Sequence, residues 1–228
     1  DSGALADMRR RGIDIISYHQ VDNPLVRTID PLFIGLHLTT ASEMSSKAVS
    51  KAYDEERVGV FCRVDGRTTV IEYSDLPAAL MSARLPDGTR RFDAGSIAIH
   101  ILDREFVARL TTPGASAQLP WHRADKKVTT VDAEGRLVSP AIPNAVKLEL
   151  FVFDAIPLAR NPLVLFTQRE EEFSPVKNAA GVDSPATTRR DLIRRAARWL
   201  ESCGVQVPRG PDGEPALPLE ISPAFALD

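Results

Sequence analysis

At 228 residues, with a net charge of −3 and acids and bases interspersed, the chain has no electrostatic footprint for nucleic acid or an anionic membrane surface. Hydrophobic residues make up 43% and charged residues 26%, the balance of a globular protein with room for one large domain or one plus part of another. No apolar run approaches the roughly 20 residues needed to span a bilayer, and Asp1 to Arg11 lacks the apolar segment of a signal peptide. Cys62 and Cys203 lie far apart, and His19, His37, His100 and His122 show no ligand spacing, which points to reduced thiols in a cytoplasmic protein without a zinc site.

Helical and extended signals alternate, as in an α/β domain. Ala4 to Arg11 reads as the end of a helix stopped at Gly12, and Ile13 to Val21 as a strand ending at Asp22-Asn23. Pro31 to Leu38 reads as a short helix with proline at its start. Val58 to Val64 and Arg67 to Tyr73 form a hairpin around Asp65-Gly66, a two-residue turn signal. Ser74 to Ala83 reads as a helix, and Lys147 to Asp154 and Leu163 to Thr167 as strands. In Lys147 to Asp154, Phe151 and Phe153 share one face and Leu148, Leu150 and Val152 the other, the pattern of a central strand. Thr187 to Cys203 is the clearest helix, with Leu192, Ile193, Ala196, Ala197 and Leu200 on one face and Ser184-Pro185 as its start. A further strand is expected at Leu217 to Ile221, shortly before the chain ends at Phe225-Ala226-Leu227-Asp228. The first strand has no earlier neighbour to join, so the sheet reads as incomplete at its N-terminal side.

Three places carry candidate chemistry. In the hairpin, pairing Val64 with Arg67 and stepping back places Gly59 beside Glu72 on one sheet face. Open backbone beside a carboxylate suits hydroxyl groups; a bulge at Gly59 with a solvated Glu72 is the plainer alternative. Asp22 and Asn23 sit at the carboxyl end of a predicted strand, where ligands gather in open α/β sheets. One carboxylate there suits Mg²⁺ completed by phosphates and water, and an Asx turn or helix cap explains it as well. The third place is Arg169-Glu170-Glu171-Glu172-Phe173-Ser174-Pro175-Val176-Lys177-Asn178, followed by Asp183-Ser184-Pro185. Lys177, held by the Phe-Ser-Pro turn, is a point charge suited to a phosphate oxygen, while Arg169, Glu170, Glu171 and Glu172 read as loop anchors through ion pairs.

The third block resembles the signature of the eukaryotic-type UDP-sugar pyrophosphorylases, most closely the UDP-N-acetylglucosamine pyrophosphorylases. Other blocks follow in the same order. Tyr18-x-x-Val21-Asp22-Asn23-Pro24-Leu25-Val26 with Asp30-Pro31-x-Phe33-Ile34-Gly35 is similar to Y-x-V-D-N-x-L-V-x-x-x-D-P-x-F-I-G. Val58-Gly59-Val60-Phe61-Cys62-Arg63-Val64-Asp65-Gly66 with Val70-Ile71-Glu72-Tyr73-Ser74 is similar to V-G-V-x-C-R-V-D-G…V-V-E-Y-S-E, with Asp75 in place of the last Glu. Phe92-Asp93-Ala94-Gly95-Ser96-Ile97-Ala98-Ile99-His100 resembles F-N-x-G-N-I-x-x-H but carries Asp93 and Ser96 for the two Asn. Pro143-Asn144-x-x-Lys147-x-Glu149-x-Phe151-Val152-Phe153-Asp154 resembles P-N-x-I-K-x-E-x-F-V-F-D.

The resemblance implies a Rossmann-like nucleotidyltransferase sheet, its later part spanning 1–182, with 183–228 opening a small C-terminal β-containing domain. It implies a uridylyltransferase that joins UTP to a sugar 1-phosphate, N-acetylglucosamine 1-phosphate being favoured, with release of pyrophosphate. Gly59, Glu72, Ser96, Phe151 and Phe153 then seat the sugar, Asp22 and Asn23 lie at the nucleotide and Mg²⁺, and Lys177 neutralises phosphate charge. Asp30 is an N-cap ahead of Pro31. Ser96 has shorter reach than Asn and no carboxamide, which keeps UDP-glucose or broad UDP-sugar synthesis as an alternative. The family's Gly-rich loop, L-x-G-G-x-G-T-R-L-G, has no counterpart: none of the 13 glycines forms a G-x-G. The expectation is therefore a sugar-binding half, inactive alone and completed by the nucleotide-binding half of the same enzyme, or else a non-catalytic sugar-nucleotide-binding module or split-enzyme subunit.

Overall fold

The computed structural model describes residues 2–112, 119–222 and 224; the final Phe225-Ala226-Leu227-Asp228 lies outside the described residues. In chain order the elements are α1 (Ala4–Arg10), β1 (Ile15–Tyr18), α2 (Pro31–Thr39), β2 (Met44–Ser50), β3 (Val60–Val64), β4 (Arg67–Ile71), α3 (Ala78–Met81) and β5 (Ala94–Asp103). There follow α4 (Arg104–Thr111), β6 (His122–Lys126), β7 (Thr130–Val131), β8 (Leu137–Val138), β9 (Ala145–Glu149), a 3₁₀ helix (Val152–Leu158), β10 (Leu163–Phe166), α5 (Arg169–Glu172) and α6 (Pro185–Ser202).

A six-stranded sheet runs β10-β2-β5-β3-β4, with β1 also paired to β5. Its ladders are antiparallel except for β10 on β2. Apolar side chains cover both faces, so the sheet is the middle layer of an α/β fold. Phe61, Val70 and Leu102 pack with Phe106 of α4 and Ala155 and Ile156 of the 3₁₀ helix. Ile97, Ile99 and Ile101 alternate onto the other face and meet Phe33 of α2 and Phe173. Complete burial of each such side chain contributes about 1.5–3 kcal/mol.

Local chemistry sets the helix starts. The Asp30 side chain accepts from the Phe33 N–H at 3.1 Å ahead of Pro31, and Ser184 and Thr187 form a capping box ahead of α6. The hairpin has the expected register, from Val64 opposite Arg67 to Val60 opposite Ile71.

Four expected elements differ. The segment from Lys147 to Asp154 is not a central strand: β9 ends at Glu149, pairs among the described residues only with β6 and is mostly exposed. Beyond it the chain closes into 3₁₀ turns, the Asp154 N–H donating to the Phe151 carbonyl at 3.2 Å. The helix expected over Ser74 to Ala83 is one turn, because Pro77 restricts the residue before it and forms the helix N-cap. The first strand is shorter than Ile13 to Val21, and Leu217 to Ile221 joins no ladder. Two strands of the main sheet are absent from the sequence reading, β2, whose Met-Ser-Ser-Lys-Ala-Val-Ser text hides a buried strand, and β5, as are the short β6, β7 and β8 outside it. Among the described residues no helix is long and apolar enough to cross a membrane.

Candidate active site

A cavity of about 190 Å³ opens where five parts of the chain meet: the end of β1, the open end of the β3–β4 hairpin, the middle of β5, the turn after β9 and the loop after α5. Gly59, Glu72, Ser96, Phe151, Phe153 and Lys177 all line it. These residues come from segments spread over more than a hundred positions of sequence, so their convergence is a product of the fold.

Gly59 lies one step beyond the last rung of the hairpin ladder. A Cβ there would stand 2.7 Å from Val70 Cγ1 and 3.2 Å from Glu72 Oε2, so only glycine lets the carboxylate approach this backbone. The Gly59 carbonyl does not face a ligand as an open acceptor, because it takes the Ser96 N–H at 2.7 Å. That bond ties the hairpin to β5. Between Ser96 and His100 the β2–β5 register shifts, and Ala98 adopts φ 54°, a left-handed conformation that marks a bulge at the cavity wall.

Burial pushes the Glu72 carboxyl upward, reinforced by the charges of Asp75 and Asp154 and opposed by Lys177 and His122. Phe151 and Phe153 stack with ring centroids 4.9 Å apart and planes 20° from parallel. The 3₁₀ turn thus makes a flat apolar wall from the two rings. Beneath the cavity His100 is buried, and its desolvation holds the imidazole down at about 4. His100 Nδ1 lies 2.9 Å from Ser46 Oγ, and its ring stacks on Tyr18.

The Lys177 loop is held from several directions. Glu172 pairs with buried Lys47, Arg169 with Glu56 at 2.8 Å and Glu171 with Arg198 at 2.8 Å, as expected of anchors. Both ends of the buried Asn23 carboxamide serve the same loop: Nδ2 donates to the Glu172 carbonyl at 2.7 Å, and Oδ1 accepts from the Ser174 N–H at 3.1 Å. Asn23 is therefore a loop clamp in this structure and does not line the cavity. Neither does Asp22, although its carbonyl accepts from the Val176 N–H at 2.8 Å and so fixes it beside Lys177. Among the described residues Asp22 Oδ1 is buried without a hydrogen-bond partner.

The sequence reading missed Tyr18, Arg57, His100 and the His122–Asp154 pair. Tyr18, His100 and Asp154 lay inside blocks already singled out, whereas Arg57 and His122 carried no spacing signal. Arg57 lines the cavity at an exposed position, so the mouth carries two cations.

Comparison with known proteins identifies the chain's family. Residues 1–184 match the family described as UTP–glucose-1-phosphate uridylyltransferase. The chain is 42% identical over 237 residues to human UDP-N-acetylhexosamine pyrophosphorylase-like protein 1, covering 98% of this chain and 46% of that protein. It is 35% identical over 210 residues to the UDP-N-acetylglucosamine pyrophosphorylase of Saccharomyces cerevisiae, covering 90% and 44%. A crystal structure of a putative UDP-N-acetylglucosamine pyrophosphorylase from Entamoeba histolytica superposes with a TM-score of 0.81 at 35% identity, over 91% of this chain and 51% of that one. The chain spans about half the length of the curated relatives it matches. Its nucleotidyltransferase-type fold is shared with that solved structure, and the chain belongs to the UTP–glucose-1-phosphate uridylyltransferase family.

Proposed function

We propose that this chain forms the sugar-binding half of a uridylyltransferase that makes UDP-N-acetylglucosamine, or a related UDP-sugar, and pyrophosphate from UTP and a sugar 1-phosphate. The observation that carries the reading is the single cavity with a carboxylate, a stacked aromatic pair and a lysine on its walls. A hexose needs these features: an acceptor for its hydroxyls, a flat apolar surface for its ring face and a cation for its phosphate. Glu72 takes the hydroxyls, Phe151 and Phe153 the ring, and Lys177 with Arg57 the phosphate.

In the reaction, an oxygen of the sugar 1-phosphate attacks the α-phosphorus of UTP in line and pyrophosphate leaves. No covalent intermediate with the protein is needed, so the chain contributes positioning and charge. Lys177 offsets charge on the transferring phosphates. Asp22 is the residue that would hold Mg²⁺ in this reading, since among the described residues its buried Oδ1 has no hydrogen-bond partner. Asp22 would be one protein ligand of an ion that takes its other oxygens from phosphate and water. When bound, that ion neutralises phosphate charge. Ser96 favours a second reading, in which glucose 1-phosphate or several sugars are accepted, because its hydroxyl has less reach than a carboxamide. The free thiols of Cys62 and Cys203 support a cytoplasmic setting.

Calorimetric titration of the chain with N-acetylglucosamine 1-phosphate and glucose 1-phosphate tests the reading and ranks the sugars. Glu72→Gln and Lys177→Met are each expected to weaken binding about tenfold or more. Equal affinity of the unaltered chain and both variants would dismiss the cavity as the sugar site.

A further inference from the structure

We propose that His122 is a positioning residue for the cavity, clamping the Phe151–Phe153 wall and engaging the Asp154 carboxylate that stands near Glu72. The proposal rests on the reading of the cavity as a sugar-phosphate site. His122 opens β6 and lies opposite Glu149, the last residue of β9 and two residues before Phe151. Its imidazole packs on Phe151 with centroids 4.5 Å apart and planes tilted by 46°. Its Nε2 stands 2.7 Å from Asp154 Oδ2.

One side chain therefore grips both ends of the Phe151–Asp154 turn, whose inner bond runs from the Asp154 N–H to the Phe151 carbonyl. That turn stacks the two rings. Neither His122 nor Asp154 lines the cavity, so both act on it through the ring wall and through charge. The groups that bear on the Glu72 carboxyl are Asp75 and Asp154, which repel it, and Lys177 and His122, which attract it. Among the described residues the Asp154 carboxylate bonds only to His122. Removing the imidazole leaves that carboxylate unpaired in the neighbourhood of Glu72.

The test uses the full 228-residue chain with His122→Ala, His122→Gln and Asp154→Asn. Carbon-13 NMR follows the Glu72 carboxyl titration and proton NMR the Phe151 and Phe153 rings, both without ligand. His122→Ala is expected to raise the Glu72 midpoint and shift the ring signals, whereas Asp154→Asn lowers the midpoint by removing a repelling charge. A residue that only supported the fold would not give opposite signs. Binding of N-acetylglucosamine 1-phosphate should weaken about tenfold in His122→Ala and recover to within about threefold in His122→Gln, whose amide can still donate to Asp154. A Glu72 titration unmoved by either alanine or asparagine overturns the proposal, and Asp154→Asn alone decides if His122→Ala does not fold. Midpoints that move as expected in a chain that binds no sugar phosphate would uphold the clamp and remove the sugar assignment.

Discussion

Gly59 is the position at which the cavity tolerates no side chain. A methyl group there would meet Val70 Cγ1 at 2.7 Å and the Glu72 carboxylate at 3.2 Å. Val70 is buried in the core and has little room to give. Gly59→Ala is therefore expected to cost about 1–3 kcal/mol in urea denaturation and to weaken sugar-phosphate binding together with it. An alanine variant with unchanged stability and affinity would refute the close approach. The Gly59–Glu72 pairing was legible in the sequence because a two-residue turn fixes register over a few steps. Asn23 shows the opposite case. Its residue type suits a ligand, yet both ends of its amide are engaged by the loop at Glu172 and Ser174, 149 and 151 positions away. No local pattern reports a partner at that distance.

At the scale of elements, the buried Lys47 joins β2 to two others. Its ammonium meets Asp30, the cap of α2, at 2.6 Å, and also Glu172 at the end of α5; the three side chains are 1%, 11% and 5% exposed. Lys47→Met would leave two buried carboxylates without their cation, at an expected cost of about 3–5 kcal/mol. The triple change Lys47→Met with Asp30→Asn and Glu172→Gln should recover much of that loss in the same urea experiment. Burial alone would raise the Asp30 carboxyl, but hydrogen bonds from Lys47 and the Phe33 N–H, with the charges of Lys47 and Arg27, hold it below its ordinary value. A carboxyl lowered by folding contributes stability that is complete above the ordinary carboxylate range and lost as pH falls through the folded value. Asp30→Asn is thus expected to flatten the acid limb of the stability curve; an unchanged slope would show that Lys47 does not hold Asp30 in this way. The lysine also explains why β2 escaped notice, since a charged residue amid serines hides the burial pattern of a strand. The Phe151–Phe153 segment failed for another reason: alternation over Lys147 to Asp154 is real, but these residues have no partner strand in the main sheet. Lys147 to Glu149 pair with β6 outside that sheet, and from Phe151 onward the backbone closes into 3₁₀ turns instead.

On the scale of the whole molecule, the sugar and nucleotide requirements of the proposed reaction are unequally represented. The cavity gathers residues from β1, β4, β5, the segment leading into β3, the turn after β9 and the loop after α5, so the sugar side is built from distant parts of the sheet and its loops. Phosphates of a nucleoside triphosphate need a different device, a run of backbone N–H groups in a glycine-rich loop or at a helix N-terminus. None of the 13 glycines stands in a G-x-G, and the chain spans about half the length of the curated relatives it matches. Lys177, Arg57 and Asp22 can engage one phosphate group and a cation, but alignment of an attacking oxygen with an α-phosphorus needs the triphosphate fixed as well. The 228-residue chain is accordingly expected to bind sugar 1-phosphates while releasing no pyrophosphate from UTP above the uncatalysed background. A coupled pyrophosphate assay with Mg²⁺, UTP and N-acetylglucosamine 1-phosphate checks this directly. Turnover that disappears in Lys177→Met would show that these residues hold the nucleotide unaided, and would move the phosphate-binding role onto the Asp22 and Lys177 loops.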